Sequence, residues 1–350
     1  MKTIVLTGGG TAGHVTPALA LIPELKKRFD KIIFIGSKNG IEKNLALNAG
    51  LEYYFVPTVK LERRLTAKNL LIPFKLGLAV REAKKILKSI TPTVIFSKGG
   101  FVSLPTVIAG KQLGIPIVCH ESDLSVGLAN KIGARYSSLF LTSFDCTSIK
   151  GVTPTFVGNP LNERLFYNYD KKQLLKKYGL TDRKKILLIF GGSSGSQAIN
   201  DMVNKCLYKL INRYSVIHLC GKGKGEAQRE KGYIKIEYTN DIAELYTLCD
   251  LCASRAGANS LFELTALNKP TLAIPLSKSA SRGDQIENAE YFKKRKMIEV
   301  LYEENLNETT FISAIQRLEG NANQLSESCK FKNHSLPNKR IVELICSVCK

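Results

Sequence analysis

The sequence predicts an α/β protein made of two doubly wound domains, each with a parallel sheet, that face each other across a cleft. Three observations lead to this prediction. The chain has 350 residues, more than a single hydrophobic core usually supports. Short β-rich runs alternate with stretches of helical length, which is the pattern of βαβ units. The series also restarts near Lys185, after a polar stretch suited to a linker.

The strand candidates are short, apolar and separated by amphipathic stretches. Those in the first half of the chain are TIVLTG, KIIFIG, EYYFVP, VIFSKG, PIVCHE and SLFLTS. Those in the second half are KILLIFGG, YSVIHLCG, IKIEYT, DLCASR and PTLAIPL. Helices are predicted between most of them, among others over 17–29, from 174 onward and over 198–214. The predicted divisions are an N-terminal domain at 1–160, a C-terminal domain at 161–330 and a closing helical tail at 331–350.

The composition is that of an ordinary globular protein with a strong basic bias. Hydrophobic residues make up 44% and charged residues 23% of the chain, and the formal net charge of +21 is spread over both halves. Such a bias favours an anionic partner: a nucleic acid, a lipid surface or a phosphorylated substrate. No apolar run approaches the ~20 residues of a membrane-spanning helix. The first strand begins at once, so we expect no secretory signal and, for the nine cysteines, reduced thiols in the cytoplasm.

Both halves begin with a strand, a glycine turn and a helix, in VLTGGGTAGHVTPALAL and LLIFGGSSGSQAINDMV. A glycine turn at a helix N-terminus presents free N–H groups and the positive end of the helix dipole to an anion. Gly8, Gly10 and Gly13 also satisfy the dinucleotide pattern G-x-G-x-x-G. The second strand, however, ends without the acid that would hold a ribose, since the nearest one is Glu42 in the next helix. A dehydrogenase is therefore disfavoured, and a plain turn remains the alternative for either loop.

A nucleotide site is indicated in the second half by SRAGANSLFE, residues 254–263. Gly257 permits a turn, and Ala258 and Asn259 expose backbone at the start of a helix. Glu263 follows about one turn later, where a carboxylate can accept from two ribose hydroxyls. The alternative is an ordinary acid favoured by the helix dipole.

Seven motifs in order resemble those of the MurG family of peptidoglycan glycosyltransferases, which have the GT-B fold of two Rossmann-like domains. The motifs are GGGTAGH (8–14), SKGGFVSLP (97–105), HESDLSVGLANK (120–131), VGNP (157–160), GGSSGS (191–196), SRAGANSLFE (254–263) and SRGDQIENA (281–289). The resemblance spans the chain from Ile4 to about Leu301. It implies inverting transfer of N-acetylglucosamine from UDP-GlcNAc to the C4 hydroxyl of the muramyl sugar of lipid I. Lipid I is undecaprenyl-pyrophosphoryl-MurNAc-pentapeptide, and the product is lipid II.

The resemblance also implies which residues bind the donor, mainly in the C-terminal domain. Glu263 holds the ribose, while Ala258 and Asn259 contribute backbone contacts near the diphosphate. Tyr238 and Thr239 border the uracil. The remaining two donor contacts are Ser193, which meets the phosphate, and Gln285, which reaches the sugar hydroxyls.

The N-terminal glycine loop is implied to face the diphosphates of donor and acceptor, through Thr11, Ala12 and Gly13. Inversion requires a base that takes the acceptor proton, and imidazole suits this role. His14 is the leading candidate and Glu121 its rival; the alternative for His14 is to bind phosphate without moving a proton. The chain has no Asp-x-Asp triplet, so we expect no metal and no cofactor, with helix dipoles and backbone N–H groups stabilising the diphosphate instead.

Three positions depart from the family pattern. Asn162 stands where many relatives have arginine, and Arg164, two residues later, is the candidate substitute. Asp123 in HESD replaces an amide that contacts the sugar, although an acid can still accept a hydroxyl proton. Phe101 stands where some relatives have tyrosine, so one hydroxyl is missing.

The basic bias has a candidate purpose between Lys60 and Lys88, a stretch of nine basic residues with the apolar run LLIPFKLGLAV in its middle. Apolar side chains ringed by cations favour docking on anionic lipids of the inner leaflet, each cation adding ~1 kcal/mol. We therefore expect a peripheral protein on the cytoplasmic side of the cell membrane; the alternative is that 70–80 forms a buried helix. We expect no nucleic-acid partner, because no recognition motif is present. Another GT-B enzyme with a lipid acceptor such as diacylglycerol remains the alternative function.

Two C-x-x-C pairs, Cys249 with Cys252 and Cys346 with Cys349, raise the question of a zinc site. The first pair lies in a strand-like run, where positions three apart point to opposite faces. Buried free thiols are therefore predicted rather than metal ligands.

Overall fold

The chain folds into two units, which we call the N unit (Met1–Asn162 with Leu336–Lys350) and the C unit (Glu163–Ser335). The computed structural model describes residues 1–58, 72–330 and 337–349. Each unit has a seven-stranded sheet with helices packed on it. The predicted fold class is confirmed by these two doubly wound sheets.

The sheet of the N unit is parallel throughout. Its strands are β1 (Thr3–Thr7), β2 (Lys31–Gly36), β3 (Glu52–Phe55), β4 (Val94–Ser97), β5 (Ile117–Glu121), β6 (Leu139–Thr142) and β7 (Thr155–Phe156). Their order in space is β3-β2-β1-β4-β5-β6-β7. The direction of winding reverses between β1 and β4, and the carboxyl ends at such a switch point are where doubly wound sheets bind ligands.

Both faces of this sheet are covered, which explains why its strands are almost continuously apolar. All five residues of β1 are buried. Ile4 and Leu6 pack in one apolar cluster, whereas Val5, between them, packs in the cluster on the opposite face. This alternation follows from the two-residue period of a strand.

The helices of the N unit before the linker are α1 (Thr16–Leu19), α2 (Ile22–Leu25), α3 (Ile41–Asn48), α4 (Ile72–Ile90), α5 (Leu104–Gln112) and α6 (Leu128–Ala134). The prediction of one helix over 17–29 was wrong, because α1 and α2 are separate short helices. Pro23 explains the break: it lacks an N–H to donate, and its ring would clash with the carbonyl of Leu19 in a continuous helix.

Helix α4 exposes apolar side chains at its start. Phe74 is 70% and Leu78 49% exposed, while Ala83 and Leu87 on the other side of the helix are buried. The alternative of a fully buried helix over 70–80 is thus wrong for its described part. Four of the basic residues in the predicted membrane-docking stretch lie outside the described residues: Lys60, Arg63, Arg64 and Lys68. Among the helices that the structure describes, none combines the length and apolar character needed to span a bilayer.

The sheet of the C unit repeats the same winding. Its strands are β8 (Ile186–Phe190), β9 (Ser215–Leu219), β10 (Gln228–Glu230), β11 (Tyr233–Ile236), β12 (Leu251–Ser254), β13 (Thr271–Ala273) and β14 (Glu299–Val300). The order is β10-β11-β9-β8-β12-β13-β14, with the switch point between β8 and β12. All neighbours are parallel except β10 and β11.

The helices of the C unit are α7 (Lys171–Tyr178), α8 (Gln197–Arg213), α9 (Ile242–Leu248), α10 (Ala258–Ala266), α11 (Asp284–Lys294) and α12 (Glu308–Lys330). Helix α7 begins after the linker with an N-cap, because the Asp170 carboxylate accepts from the N–H of Lys172 at 2.8 Å. It ends at Gly179, whose φ of 64° is left-handed.

The C-terminal helix, α13 (Pro337–Ser347), belongs to the N unit. Ile341, Val342 and Ile345 are buried in the same apolar cluster as β1. Asn338 fixes the helix to the rest of the unit, since its amide donates to the carbonyls of Ala20 (3.1 Å) and Leu161 (2.7 Å). The chain therefore returns to its first unit, a connection that the sequence alone left open.

Candidate active site

The N-terminal glycine loop follows β1 at the switch point of the N unit and leads into a short 3-10 helix, Ala12–His14. Thr11 is exposed, and Ala12, Gly13 and His14 are half-buried. A second glycine turn, after β4, packs against this loop. Gly100 there has a φ of +78°, and a Cβ on it would lie 2.1 Å from the carbonyl oxygen of Gly9 and 3.0 Å from the His14 ring. Only glycine permits so close an approach.

Glu42, which the sequence indicates is not a ribose ligand, supports the glycine loop through hydrogen bonds. Its side chain is fully buried. One carboxylate oxygen accepts from the N–H of Ser37 at 3.0 Å, and the other accepts from the N–H of Gly10 at 3.4 Å. Glu42 therefore joins the end of β2 to the loop and is not directed at a ligand.

The HESD turn after β5 is shaped by Glu121. This carboxylate is 2% exposed. It accepts from the N–H groups of Asp123 at 3.1 Å and Gly127 at 2.9 Å, and from the side-chain amide of Asn130 at 3.0 Å. The Glu121 carboxylate, the rival candidate for the base, thus already accepts from three donors. Asp123 on the same turn is half-buried.

Lys98, the residue after β4, is a site residue that the sequence analysis missed. It is fully buried, and its amine lies 2.6 Å from Nδ1 of His120 and 2.7 Å from the hydroxyl of Ser122. Burial lowers the pKa of the Lys98 amine to about 7, against the opposing effect of the Glu121 and Asp123 carboxylates. The sequence signals it by a lysine that directly follows an apolar strand, inside the motif SKGGFVSLP.

The glycine turn of the C unit follows β8 and ends at Ser196, the N-cap of α8, whose hydroxyl accepts from the N–H of Ile199. Gly195 has a φ of +66°, and a Cβ on it would lie 2.1 Å from the carbonyl oxygen of Cys220. Ser193, at the tip of the turn, is exposed. The turn thus presents exposed backbone at the N-terminus of a 17-residue helix.

Arg255, after β12, connects this turn to its surroundings and was also missed by the sequence analysis. It is buried, and its guanidinium donates to the hydroxyl of Ser196 at 2.8 and 3.1 Å. It also donates to the carbonyl of Ile274 at 3.2 Å and forms an ion pair with Glu303. A buried cation therefore lies beside the N-cap of α8.

Glu263 lies in the second turn of α10, so the alternative of a first-turn acid favoured by the helix dipole is wrong. Its carboxylate accepts from the hydroxyl of Tyr246 at 3.2 Å. Burial raises the pKa of Glu263 to about 7, which the Tyr246 hydrogen bond opposes. Ala258 at the start of the same helix is buried and Asn259 is half-buried.

The remaining predicted donor contacts also belong to the C unit, with Gln285 in the first turn of α11. Tyr238 is 46% exposed, and the hydroxyl of Thr239 accepts from the N–H of Asp241 at 3.0 Å. The amide oxygen of Gln285 accepts from the N–H of Leu276 at 3.0 Å. Arg164 is exposed on the 3-10 helix Glu163–Phe166.

Two further histidines, His120 in β5 and His218 in β9, have fully buried rings. His218 lies between the Tyr233 hydroxyl (2.9 Å) and the Asn200 side chain (3.0 Å), within the core. Burial lowers its pKa to about 4. Nδ1 of His120 lies 2.6 Å from the amine of Lys98.

The first C-x-x-C pair differs from its prediction in geometry. Cys249 ends α9 rather than lying in β12, and its thiol is hydrogen-bonded to that of Cys252. The two side chains therefore point toward each other, not to opposite faces. Both thiols are free and buried, as predicted, while Cys346 and Cys349 are half-buried. Across residues 1–58, 72–330 and 337–349, no three His, Cys, Asp or Glu side chains converge to form a metal site.

Comparisons with known proteins agree with this geometry. Residues 4–140 match the glycosyltransferase family 28 N-terminal domain, and residues 186–344 match the family 28 C-terminal domain. The chain is 44% identical over 350 residues to a Clostridium botulinum (strain Loch Maree / Type A3) protein, covering 99% of each. That protein is named UDP-N-acetylglucosamine--N-acetylmuramyl-(pentapeptide) pyrophosphoryl-undecaprenol N-acetylglucosamine transferase. A Clostridium perfringens (strain SM101 / Type A) protein of the same name is 43% identical and covers 98% of this chain and 97% of its own.

The fold is also that of a solved relative. The crystal structure of Acinetobacter baumannii MurG matches with a TM-score of 0.76 at 21% identity, covering 99% of this chain and 100% of the other. The predicted GT-B fold and the resemblance drawn from the seven motifs are therefore confirmed.

Proposed function

The chain belongs to glycosyltransferase family 28, and from this we propose that it transfers N-acetylglucosamine from UDP-GlcNAc to lipid I. The acceptor atom is the C4 hydroxyl of the muramyl sugar, the anomeric configuration inverts, and the product is lipid II for peptidoglycan synthesis. The observation that carries the proposal is the glycine-lined turn at the switch point of each sheet. Such turns offer backbone donors to a sugar diphosphate.

We propose that the C unit binds the donor. The Glu263 carboxylate accepts from the ribose hydroxyls, and the N-terminus of α10 at Ala258 and Asn259 lies toward the diphosphate. Ser193 meets a phosphate oxygen at the tip of the exposed turn. Tyr238 and Thr239 border the uracil. The amide oxygen of Gln285 already accepts from the N–H of Leu276, so Gln285 would donate from its NH₂ group to the sugar hydroxyls.

The departing UDP needs its developing negative charge stabilised. The N-terminus of α8 supplies backbone N–H groups and a helix dipole, which are fixed before the reaction and cost no reorganisation. Arg255 beside its N-cap holds these donors in place. Arg164, which is exposed in the same unit, is the proposed substitute for the arginine missing at position 162.

We propose that His14 takes the acceptor proton and that Glu121 does not. The glycine loop carries His14 beside Thr11, Ala12 and Gly13, which face the diphosphates. The Glu121 carboxylate, in contrast, is buried and accepts three hydrogen bonds that shape its own turn. Asp123 is then the acid that accepts from an acceptor sugar hydroxyl.

The test of this function is UDP release by detergent-solubilised protein. Release that requires both UDP-GlcNAc and a lipid I analogue is the expected result. Release with diacylglycerol in place of the lipid I analogue would assign the chain to the alternative enzyme. Salt-sensitive RNA binding without turnover would overturn both.

Donor binding should depend on pH through Glu263. Its pKa of about 7 means that the carboxylate is mostly protonated at pH 6 and mostly ionised at pH 8. Since an ionised carboxylate accepts more strongly from the two ribose hydroxyls than a protonated one does, we expect UDP-GlcNAc affinity to rise by up to about tenfold over this range and to level off above it. Calorimetric titrations with UDP-GlcNAc, whose diphosphate stays ionised throughout, measure this directly.

The control for this pH dependence is Glu263→Gln, which should bind more weakly and with a flat profile. Glu226→Gln, at an exposed acid in the same unit, should behave as the parent protein. The role of Glu263 is contradicted if the parent profile is flat or if Glu263→Gln keeps the same slope.

We also propose that α4 docks on the anionic leaflet where the acceptor resides. Phe74, Leu78, Arg81 and Lys85 are spaced at i, i+4, i+7 and i+11, so they share one face of the helix. All four side chains are exposed. Apolar side chains followed by cations suit the boundary between acyl chains and headgroups.

Vesicle sedimentation tests this surface. The double variant Phe74→Ser/Leu78→Ser should bind vesicles of anionic lipid at least about tenfold more weakly. The reason is that it lacks the two apolar side chains whose transfer from water into the bilayer favours docking. Its melting temperature should not change, since both are exposed. Tyr208→Ser, at a residue of the C unit that is 76% exposed, is the matched control and should bind normally. Equal binding by the double variant would remove α4 from the docking surface.

A further inference from the structure

Lys98 lies at the centre of a hydrogen-bond network whose proton directions can be assigned. The carbonyl of Gly158 only accepts, so Nε2 of His120, 3.0 Å away, must carry the proton. Burial and the neighbouring Lys98 lower the pKa of His120 well below its ordinary value, so the ring is neutral. Nδ1 is then an acceptor, and Lys98 donates to it at 2.6 Å.

The second branch of the network runs through Ser122. The Ser122 hydroxyl donates to the side-chain oxygen of Asn159 at 2.9 Å, so it must accept from Lys98 at 2.7 Å. Both branches end in the VGNP turn, at Gly158 and Asn159. One buried amine thus ties the end of β4 to the turn after β5 and to the turn that leads out of the N unit.

The two partners of Lys98 bracket Glu121 in sequence, and Asp123 follows at once. Glu121 fixes the inner shape of this turn through Asp123, Gly127 and Asn130. The Ser143 hydroxyl, 3.1 Å from both the Glu121 carbonyl oxygen and the Asn159 side-chain oxygen, links Glu121 to the VGNP turn, and Lys98 reaches that turn on both sides of Glu121 through His120 and Ser122. Lys98 therefore joins the two residues that flank Glu121, His120 and Ser122, to each other and to the end of β4.

We propose that Lys98 is a positioning residue for the acceptor: through His120 and Ser122 it holds the HESD turn so that Asp123 meets the acceptor sugar. The inference rests on the proposed function. Lys98 is itself fully buried and does not touch the substrate. Its hydrogen bonds to His120 and Ser122, at 2.6 and 2.7 Å, fix the two residues on either side of Glu121.

The variant Lys98→Met keeps the length of the side chain and removes its donors. We expect kcat/KM for a soluble lipid I analogue to fall at least about tenfold, while UDP affinity stays within about twofold. Lys111→Met, at an exposed lysine on α5, removes the same charge from the same unit and should leave both values unchanged.

A second variant separates positioning from folding. Ser122→Ala leaves the lysine in place but removes one of its acceptors, so it should also weaken kcat/KM for the acceptor. If both act through one network, the double variant Lys98→Met/Ser122→Ala should be no worse than Lys98→Met alone. Should Lys98→Met not fold, the Ser122→Ala result decides.

The outcomes distinguish this proposal from the one it rests on. Folded Lys98→Met with acceptor kcat/KM within twofold of the parent overturns it. So does a parallel loss of UDP affinity and melting temperature, which would show a general structural role. Failure of the parent protein to release UDP with both substrates would instead overturn the proposed function.

Discussion

Replacing His14 with alanine should lower kcat by about 10² to 10⁴, the usual contribution of a positioned general base. The loop around His14 should keep its shape, because it is fixed by Glu42 and by the packing of Gly100 against Gly9. UDP-GlcNAc affinity, measured by calorimetry, should therefore stay close to the parent value. Steady-state turnover with a soluble lipid I analogue gives kcat.

A second substitution at the same position separates proton transfer from phosphate binding. Glutamine retains a hydrogen-bond donor but does not accept a proton near neutral pH. If His14 is the base, His14→Gln should be as slow as His14→Ala. Recovery of most of the activity in His14→Gln would show that the residue only binds phosphate, and near-normal turnover by His14→Ala would exclude it from catalysis.

The strands that build both glycine turns could be predicted because burial on both faces of a parallel sheet leaves a local signal, a continuous apolar run before a glycine. The strands that were missed, β7, β10 and β14, have only two or three residues each. No periodicity can be read over so few positions. Their pairing is decided by longer strands beside them.

The residues of the candidate site can likewise be divided into those that could be predicted from the sequence and those that could not. Ser193 and Glu263 lie in contiguous motifs, so the sequence could offer them as candidates for ligand binding. Lys98 and Arg255 lie in such motifs too, but their structural roles could not be predicted, because their partners are remote in the chain. Lys98 bonds to residues 22 and 24 positions away, and Arg255 bonds to Ser196, 59 positions away. A single lysine or arginine carries no local sign of such a partner.

Replacing Arg255 with methionine should destabilise the C unit by about 3 to 5 kcal/mol, because a mostly buried Glu303 would lose its counter-ion. The side chains of the pair are 9% and 18% exposed. Burial by itself would raise the pKa of Glu303, but hydrogen bonds from Arg255 and Ser277 lower it below its ordinary value. Methionine fills the space without supplying any of these donors.

Differential scanning calorimetry of the full chain measures this effect as a shift in the transition of the C unit, roughly 6 to 20 °C downward. The double variant Arg255→Met/Glu303→Gln should recover part of the loss, since it removes the unpaired charge. A shift of Arg255→Met smaller than about 2 °C would contradict the role of the ion pair.

The pH dependence of stability gives an independent check of the same pair. The folded-state pKa of Glu303 lies below its ordinary value of 4.5, so its ion pair stabilises the folded state fully above that pH. This contribution is lost as the pH falls through the lower, folded-state value. Arg255→Met has no such contribution to lose, so its stability deficit should shrink on acidification. A deficit that stays constant from pH 7 down to well below 4.5 would mean that Arg255 stabilises the unit through Ser196 and the backbone carbonyls alone.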